Sequence, residues 1–340
     1  MIGIRVDANN KTAMGHIMRC LAIAKQLYAL GKKIIFLVSD EDAVGIIRDN
    51  RFEYQILPYA YNEKNKEVDV LISLLKQKKV NTLLIDSYEV TEEYMIRLKE
   101  KINIIYLDDL NMFKYAANLI INYTFGTKLS LYQKWNYDAD TKFLLGSNYI
   151  PLGPGFVNID RNYAQKIKRV FITTGGTDKN DMLLGILHKL VKSEWSQIEK
   201  VVIAGKFYGR IQDLEKVAMQ NPSVKVYYNI SNMAEIMRQC DVAISAGGTT
   251  IAELCACGIP TIGFSVADNQ VYGLEAYSKA GIIKYAGDVR DGKEIVIENI
   301  EDNLYMLTKD EKLREYQGIL AHSIIDGKGA LRIAKAIVSI

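Results

Sequence analysis

The chain has few prolines, few cysteines and almost no net charge, and each shortage excludes a class of protein. Five prolines among 340 residues argue against a disordered or linker-rich architecture. The four cysteines, Cys20, Cys240, Cys255 and Cys257, include no C-x-x-C pair, so we expect buried thiols rather than a zinc site. Lysine and arginine number 43 and acidic residues 40, and a net charge of +3 is too small for a protein that binds nucleic acid through its overall charge.

Long hydrophobic runs are also missing. The chain begins MIGIRVDA, without a basic region followed by an apolar run, so we expect no signal peptide. No segment has the roughly 20 consecutive apolar residues that a membrane-spanning helix needs. We therefore predict a cytoplasmic protein that does not insert into membranes. Separately, we expect a monomer or weak homo-oligomer that uses no cofactor.

What the chain does have is a regular alternation of β-branched runs and amphipathic helical segments. Nearly continuous apolar strands are typical of a parallel sheet that is covered by helices on both faces. This alternation predicts an α/β protein with two doubly wound, Rossmann-like parallel sheets. The predicted strands are residues 2–6, 33–38, 82–86, 102–107, 118–122, 142–146, 169–174, 200–205, 224–228, 241–245, 260–265 and 282–286, and the predicted helices are 16–30, 41–50, 66–78, 91–101, 180–192, 210–219, 231–239, 249–257 and 268–280, with two more within 307–340.

A segment rich in proline and glycine divides the two halves. Residues 146–155 contain two of the five prolines and three glycines, which is the composition of a linker. We predict an N-terminal domain at 1–148, a linker at 149–166, a nucleotide-binding C-terminal domain at 167–325, and a last helix at 326–340 that crosses the interdomain cleft. Ligands of such folds bind at the carboxyl ends of the strands, so we expect the substrate in that cleft.

Two glycine-rich turns follow strands of the second half. One is TTGGTD at 173–178, and the other is SAGGTT at 245–250. Glycines let backbone N–H groups approach a ligand closely, and the positive end of the next helix favours an anion. Neither turn matches the dinucleotide or P-loop pattern, so a phosphate or diphosphate fits better than a dinucleotide. The alternative is a tight turn with a helix cap, which uses the same residue types.

His16 is one of only three histidines in the chain, and the other two, His188 and His322, lie within helical patterns. His16 follows Gly15 in the first turn of a predicted helix, after the first strand. The positive end of a helix disfavours the imidazolium, and a neutral imidazole near pH 7 is a suitable general base. The alternative is a histidine that caps or packs.

Two charged residues accompany His16 in the sequence. Asp7 ends the first strand, where it can orient His16 or bond a sugar hydroxyl. Arg19 lies one helical turn after His16, on the same face of the helix, where it can meet a negative group. These residues make the end of the first strand a candidate site.

Seven short motifs occur in the same order as in a known family. They are R-x-D, G-H-x-x-R-C-L, D-S-Y, L-D-D, G-G-T-D, S-A-G-G-T-T-x-x-E and A-D-N-Q, spread over nearly the whole chain. This set resembles the nucleotide-sugar hydrolases of the pseudaminic acid pathway and the related spore coat polysaccharide biosynthesis proteins, which have the GT-B glycosyltransferase fold. The resemblance implies hydrolysis of UDP-2,4-diacetamido-2,4,6-trideoxy-β-L-altropyranose or a related UDP-sugar. In that reaction water attacks the anomeric carbon, UDP leaves, the configuration inverts, and no metal is implied.

The resemblance also assigns roles to residues. The family's active-site histidine falls on His16, its nucleotide-contacting glutamate on Glu253 and its substrate-contacting asparagine on Asn269, with the diphosphate against residues 247–250. We predict His16 and Asp7 as the catalytic pair. The predicted substrate-binding residues are Arg5, Gly15, Arg19, Asp86, Gly175, Gly176, Thr177, Gly247, Gly248, Thr249, Thr250, Glu253, Asn269 and Gln270.

Several alternatives stay open. The protein can instead be a GT-B glycosyltransferase that moves a sugar from UDP to a glycan or lipid-linked acceptor, or a non-catalytic protein that binds sugar nucleotides. The sequence departs from the family at Ala13, where a glycine is usual, and at Gly153, where the hydrolases usually have an arginine, which affects the choice of sugar. Asp86, Asp108 and Asp109 end strands, where they can either contact the substrate or cap helices and turns.

Overall fold

A computed structural model describes residues 1–7, 15–192, 194–205, 208–228, 230 and 232–340. The chain forms two compact units. The first contains Met1–Gly153 together with Lys328–Ile340, and the second contains Pro154–Gly327. The boundary between Gly153 and Pro154 lies within the segment predicted as a linker, 149–166, and residues 154–166 belong to the second unit.

The first unit is built on a parallel sheet of seven strands in the order β3-β2-β1-β4-β5-β6-β7. The strands are β1 (Ile2–Val6), β2 (Ile34–Val38), β3 (Glu53–Ile56), β4 (Thr82–Asp86), β5 (Asn103–Leu107), β6 (Leu119–Asn122) and β7 (Lys142–Leu145). The helices between them are α1 (Gly15–Ala29), α2 (Val44–Asp49), α3 (Lys64–Gln77) and α4 (Glu92–Lys99).

Successive residues of these strands enter two different apolar cores. Ile4 and Phe36 belong to a core that also contains residues of α1, while Ile35 and Leu83 belong to a core that contains residues of α3 and α4. Side chains alternate between the two faces of a strand, so a strand with helices on both sides is apolar at nearly every position. This requirement explains the continuous apolar runs of β1, β2 and β4, all of whose residues are buried.

The second unit has six parallel strands in the order β10-β9-β8-β11-β12-β13. They are β8 (Arg169–Thr173), β9 (Glu199–Ala204), β10 (Val224–Tyr228), β11 (Val242–Ala246), β12 (Thr261–Ser265) and β13 (Lys284–Asp288). The helices are α5 (Met182–Val191), α6 (Ile211–Gln220), α7 (Met233–Arg238), α8 (Thr249–Ala256), α9 (Asp268–Lys279), α10 (Lys293–Lys309) and α11 (Glu311–Ile324). Short 3₁₀ helices in the two units lie at Leu129–Leu131, Gln133–Trp135, Ser147–Tyr149, Pro154–Phe156 and Glu194–Gln197.

The last helix, α12 (Gly329–Val338), packs in the first unit. Its buried residues include Ala330, Ile333, Ala334 and Ile337, whose spacing forms one helical stripe, and they belong to the same core as α1. A Cβ on Gly329 would lie 2.1 Å from the carbonyl oxygen of Ile150, so the approach of this helix to the chain requires a glycine. α12 thus lies within the predicted segment 326–340 and packs on α1, and the predicted crossing of the interdomain cleft stays a prediction.

The predicted fold class is confirmed, and the four cysteines are buried free thiols as expected. Two elements were missed. β3 is an edge strand with mostly exposed, polar residues, so it has no apolar run. α10 buries Val296, Ile300, Leu304 and Leu307, a helical spacing that is present in the sequence. In the described ranges, no helix is both long and apolar enough to span a membrane.

Candidate functional site

His16 lies where the strand order of the first sheet reverses, between β1 and β4. Doubly wound folds bind ligands at the carboxyl ends of the strands at such a point. His16 is the second residue of α1 and is 5% exposed. Its Nδ1 lies 3.3 Å from Oδ1 of Asp86, the last residue of β4. Nδ1 has no hydrogen bond to the residues that the structure describes, so the approach of Asp86 is a charge contact without hydrogen-bond geometry.

This environment suits a general base. A proton on Nδ1 would face this carboxylate, and the lone pair would then lie on Nε2. The same carboxylate stabilises the imidazolium that forms when Nε2 takes up a proton. The ring of Tyr88 contacts the imidazole edge-on, with ring centroids 4.7 Å apart and planes at 89°, and so limits how the imidazole can turn.

Arg19, one turn further along α1, is held by two carboxylates. Its Nε and Nη2 donate to the two oxygens of Asp86 at 2.6 and 2.5 Å, and its Nη1 donates to Oδ2 of Asp109 at 2.8 Å and to the hydroxyl of Tyr123. The hydroxyl of Tyr88 donates to the same oxygen of Asp109 at 2.7 Å. Burial raises the pKa of Asp109, but the adjacent Arg19 and these hydrogen bonds outweigh it and hold the pKa below its usual range. Arg19, predicted to bind substrate, is therefore engaged in supporting the His16 site.

Arg5 and Asp7 belong to a second buried charge cluster. Arg5 Nε and Nη2 donate to the two oxygens of Glu67 at 2.9 Å each, and Arg5 Nη1 donates to Oδ1 of Asp7 at 2.9 Å. Lys64 Nζ donates to the same oxygen of Asp7 at 2.8 Å, and the hydroxyl of Tyr94 donates to Glu67 at 2.9 Å. Two cations and two anions thus balance within this cluster.

The contacts of Arg5 do not fit its predicted role in substrate binding. Arg5 is fully buried. Besides the bonds to Glu67 and Asp7, its Nη1 donates to the carbonyl oxygen of Val6 at 3.0 Å and its Nη2 to the hydroxyl of Ser39 at 2.6 Å. All five N–H groups of the guanidinium are engaged in this way. We therefore assign Arg5 a structural role.

The carboxylate that lies beside His16 is Asp86, and Asp7 has other partners. Burial raises the pKa of Asp7, but Arg5 and Lys64 outweigh it and hold the pKa below its usual range. Burial, with Arg5 nearby, lowers the pKa of Lys64 to about 8. The backbone N–H of Asp7 donates to the carbonyl oxygen of Asp86 at 3.2 Å, which joins the ends of β1 and β4. The orienting role predicted for Asp7 therefore fits Asp86 better.

The two aspartates that follow β5 have different partners. Asp108 accepts hydrogen bonds from the backbone N–H groups of Leu110 and Asn111, at 2.9 and 2.8 Å, and from the hydroxyl of Tyr132 at 2.5 Å. This is a turn cap, whereas Asp109 faces Arg19. Gly15 is the first residue of α1, and the space that a Cβ would occupy there is open among the described residues. Residues 8–14, which include Ala13 of the predicted turn, lie outside the described ranges.

In the second unit, the turn after β11 leaves a helix start without a side-chain cap. Gly248 precedes α8 with φ of 131°, a conformation that favours glycine. Among the described residues, no side chain caps the N-terminus of α8. Gly248 and Thr249 are exposed and Thr250 is partly exposed. A Cβ on Gly247 would lie 2.8 Å from Cβ of Gln270, so this glycine lets α9 approach the turn. Free N–H groups at a helix start attract anions.

In the turn after β8, a side chain of the turn itself already binds the N–H groups at the start of the next helix. Asp178 accepts hydrogen bonds from the backbone N–H groups of Met182 and Leu183, at 2.9 and 2.8 Å, and so caps α5. The predicted residues Gly175, Gly176 and Thr177 lie before this cap. A Cβ on Gly205, after β9, would lie 2.0 Å from the carbonyl oxygen of Gly175, so the turn is also packed against the chain. We interpreted the glycine-rich turns either as anion sites or as tight turns with a helix cap, and the turn after β8 fits the second interpretation.

Three predicted residues surround the open turn. Glu253 lies four residues after Thr249, on the same face of α8, and burial raises the pKa of its carboxyl to about 7. Asn269 is exposed in the first turn of α9. Gln270 accepts a hydrogen bond from the backbone N–H of Val266 at 2.9 Å, which stabilises the start of α9. Among the described residues, the turn after β11 thus combines a helix start without a side-chain cap, hydroxyls and one carboxyl.

Sequence reasoning missed several residues of the His16 surroundings. Tyr88 lies in the D-S-Y motif but had no assigned role, and Tyr123, Lys64 and Glu67 lie in no motif. Lys64 and Glu67 are one helical turn apart on α3, a spacing that is as common on solvated helices as in buried clusters. Among the described residues, no group of three or more His, Cys, Asp or Glu side chains is arranged to hold a metal ion.

Comparison with known proteins shows which families and folds the chain resembles. Residues 169–275, from β8 into α9, match the family described as glycosyltransferase family 28 C-terminal domain. The chain is 20% identical to the spore coat polysaccharide biosynthesis protein SpsG of Bacillus subtilis over 339 residues, which is 98% of this chain and 96% of that protein. It is 23% identical to the UDP-2,4-diacetamido-2,4,6-trideoxy-β-L-altropyranose hydrolase of Campylobacter jejuni over 73% of this chain and 85% of that protein. A Methanocaldococcus jannaschii protein, MJ1062, is 26% identical over 77% of this chain, and the match spans 54% of that longer protein.

Solved structures show the same architecture. MurG of Acinetobacter baumannii superposes with a TM-score of 0.72 at 13% identity, covering 100% of this chain and 99% of that chain. Anabaena Alr3699/HepE, solved in complex with UDP, superposes with a TM-score of 0.61 at 12% identity and covers 100% of both chains. The chain has the GT-B fold and is a distant relative of SpsG and of the altropyranose hydrolase. The resemblance found in the sequence motifs is therefore confirmed.

Proposed function

We propose that the protein is a hydrolase that cleaves a UDP-activated diacetamido-trideoxy sugar, or a related UDP-sugar, at the anomeric carbon and releases UDP without a metal. The observation that supports this most directly is the placement of His16 against Asp86 at the reversal of strand order in the first sheet. A buried imidazole with a carboxylate at Nδ1 is the arrangement of a general base. The pathway we propose is the biosynthesis of nonulosonic acids or of surface or spore coat polysaccharide.

The proposed reaction is a single displacement. Nε2 of His16 takes a proton from a water molecule while the water oxygen forms a bond to the anomeric carbon. The bond between that carbon and the phosphate oxygen breaks, its electron pair leaves with UDP, and the configuration at the carbon inverts. Asp86 stabilises the imidazolium, and no oxidant, reductant or metal is needed to balance the step.

The second unit supplies the features that suit UDP. The start of α8, which has no side-chain cap among the described residues, offers backbone N–H groups for the diphosphate, and Gly248 lets the ligand approach them. Each such donor contributes about 3 kcal/mol when it is aimed at a charge that develops in the transition state. Glu253, one turn along α8, is placed to accept hydrogen bonds from the nucleoside, and Asn269 is placed to contact the sugar. The family 28 match over these residues, and the UDP in the HepE complex, support a nucleotide in this unit.

A glycosyltransferase is the second candidate. The family match and the neighbouring structures are glycosyltransferases by description, and a base such as His16 can take a proton from an acceptor hydroxyl as well as from water. The names of the altropyranose hydrolase relatives favour water as the acceptor. A non-catalytic binding protein would have no use for the His16–Asp86 pair.

A direct experiment separates these functions. The purified protein is incubated with a panel of UDP- and CMP-sugars, with and without a glycan or lipid-linked acceptor, and free UDP and free sugar are measured separately by mass spectrometry. Equal amounts of UDP and free sugar without acceptor support the hydrolase. UDP release only with an acceptor supports the transferase, and no release under any condition contradicts both. The His16→Gln variant is the matched control for background hydrolysis.

A further inference from the structure

Among the residues that the structure describes, the charged groups around His16 do not balance. Arg19 carries one positive charge, whereas its two partners, Asp86 and Asp109, carry two negative charges. In the neighbouring cluster, Arg5 and Lys64 balance Asp7 and Glu67. The two clusters of charged side chains lie at the ends of adjacent strands, and their net charges differ by one unit.

We propose that Asp109 is a positioning residue. Its negative charge gives the cluster of Arg19, Asp86 and Asp109 a net charge of −1, and the imidazolium of His16 neutralises that charge when the base takes up a proton. This inference rests on the proposed role of His16 as the general base. It assigns to Asp109 a role that acts through Arg19 rather than through contact with the substrate.

The geometry of Arg19 carries the argument. Its guanidinium is shared, with Nε and Nη2 on Asp86 and Nη1 on Asp109 at 2.8 Å. If Asp109 were neutral, the whole charge of Arg19 would compensate Asp86, and the imidazolium would face a neutral pair. Arg19 is 6% exposed and Asp86 is fully buried, so water screens these interactions weakly.

The other titratable groups that face His16 do not change this balance at neutral pH. From α1, the thiol of Cys20 donates to Asp86, and burial raises its pKa well above the usual value. Burial likewise raises the pKa of Tyr88, after β4, and of Tyr123, after β6. The three groups are neutral, so in the described part of the chain Arg19, Asp86 and Asp109 are the charges that surround His16.

The Asp109→Asn variant tests the proposal with little change in shape. Both hydrogen bonds to Asp109, from Arg19 and from Tyr88, end on the same oxygen, Oδ2. An asparagine with its amide oxygen at that position accepts both, so the substitution removes the charge and keeps the contacts. Asp109→Ser removes the same charge with a smaller side chain and serves if the asparagine variant folds poorly.

The main measurement does not need activity. The chain has three histidines, so NMR can follow the ring resonances of each one against pH, with His16 assigned through its loss in His16→Gln. In Asp109→Asn, the His16 resonance is expected to titrate about one pH unit lower than in the wild type, since the imidazolium has lost a facing charge. His188 and His322 should titrate unchanged and serve as internal references. An unchanged His16 titration in both charge-removing variants overturns the proposal.

Asp108→Asn is the matched control. Asp108 is the neighbouring residue and is also buried, but it caps a turn and has no bond to Arg19 among the described contacts. It should lower stability without moving the His16 titration, and an equal movement in both variants would mean that the loop, not the charge, is responsible.

Activity gives a second, separate readout. With a UDP-sugar that the wild type hydrolyses, Asp109→Asn should move the acid limb of the rate profile in the same direction as the NMR titration and lower the plateau about tenfold. UDP binding should not change. If the wild type releases no UDP but the His16 titration shifts as expected, the charge balance is supported and the proposed hydrolase is wrong.

Discussion

The candidate sites of the two sheets lie at equivalent points of the fold but consist of different chemical groups. At the β1–β4 junction, buried charged side chains surround His16, and each is held by hydrogen bonds to another side chain. At the turn after β11, the available groups are backbone N–H groups, threonine hydroxyls and the single carboxyl of Glu253. Both junctions use the ligand position of a doubly wound fold.

The difference suits the two tasks that we propose for these junctions. A group that gains and loses a proton needs nearby charges that favour its charged form, and burial makes those charges effective. A site that binds an anion needs donors that are already in place and cost no buried charge. A protein that binds one diphosphate in this way has no need of a basic surface, which agrees with a net charge of only +3.

The largest effect should come from removing the base. His16→Gln should lower turnover at least about a thousandfold, because no group in the first unit then takes the proton from water. UDP binding, measured by calorimetry, should stay within about twofold of the wild type. If turnover were unchanged, the β1–β4 junction would have no chemical role, and the proposed difference between the two junctions would be wrong.

A smaller effect should follow from closing the open turn. Gly248→Val places a branched side chain at φ of 131° and should weaken UDP binding about ten- to a hundredfold through the strain and the loss of aligned N–H groups. Turnover at saturating substrate should change less than the affinity does. UDP binding equal to that of the wild type would show that the diphosphate lies elsewhere.

A pH-dependent effect of moderate size is expected at Glu253. Burial raises its pKa to about 7, whereas an unfolded glutamate ionises near about 4.3. The unfolded chain therefore loses this proton first, so the stabilisation is complete below about pH 4 and is lost as the pH rises to about 7. Glu253→Gln should match the wild type in unfolding free energy at pH 4 and exceed it by about 3 to 4 kcal/mol at pH 8.

The measurement at Glu253 combines denaturant unfolding at the two pH values with UDP titration at pH 8. The variant should bind UDP several-fold more weakly than the wild type although it is more stable. Equal stability of the two proteins at pH 8 would contradict the raised pKa, and tighter UDP binding would contradict the proposed contact.

The smallest effect should come from the capped turn. Asp178→Ala removes two hydrogen bonds to the start of α5 and should lower the unfolding free energy by about 1 kcal/mol. UDP affinity and turnover should not change. A loss of UDP affinity comparable to that of Gly248→Val would mean that the two glycine-rich turns do not differ in function.

The fold was predictable from the sequence where burial is complete. The strands at 2–6 and 82–86 are apolar at almost every position because helices cover both faces, and this pattern predicts a parallel sheet without further information. β3 was missed because an edge strand has one neighbour and tolerates exposed polar residues. α10 was missed although Val296, Ile300 and Leu304 carry the helical period, so that signal was present.

The candidate site was predictable only in part. Motifs singled out His16 and the turn after β11, because local spacing determines a helix start and a tight turn. The partners of His16 and Arg19 come from residues about 70 and 90 positions away, and only the strand order brings Asp86 and Asp109 to them. The sequence did not point to Asp86 in place of Asp7 as the carboxylate beside His16, because nearness in sequence to His16 does not decide which strand end faces the imidazole.

The packing of α12 has a consequence for the order in which the protein is made. The second unit ends at Gly327, so all of its residues have been synthesised while the first unit still lacks its last helix. The first unit buries Ile333, Ala334 and Ile337 in the core that contains α1, the helix that begins beside His16. During synthesis, the unit that begins first therefore completes its core only after the second unit has been made, when residues 329–338 become available to pack on α1.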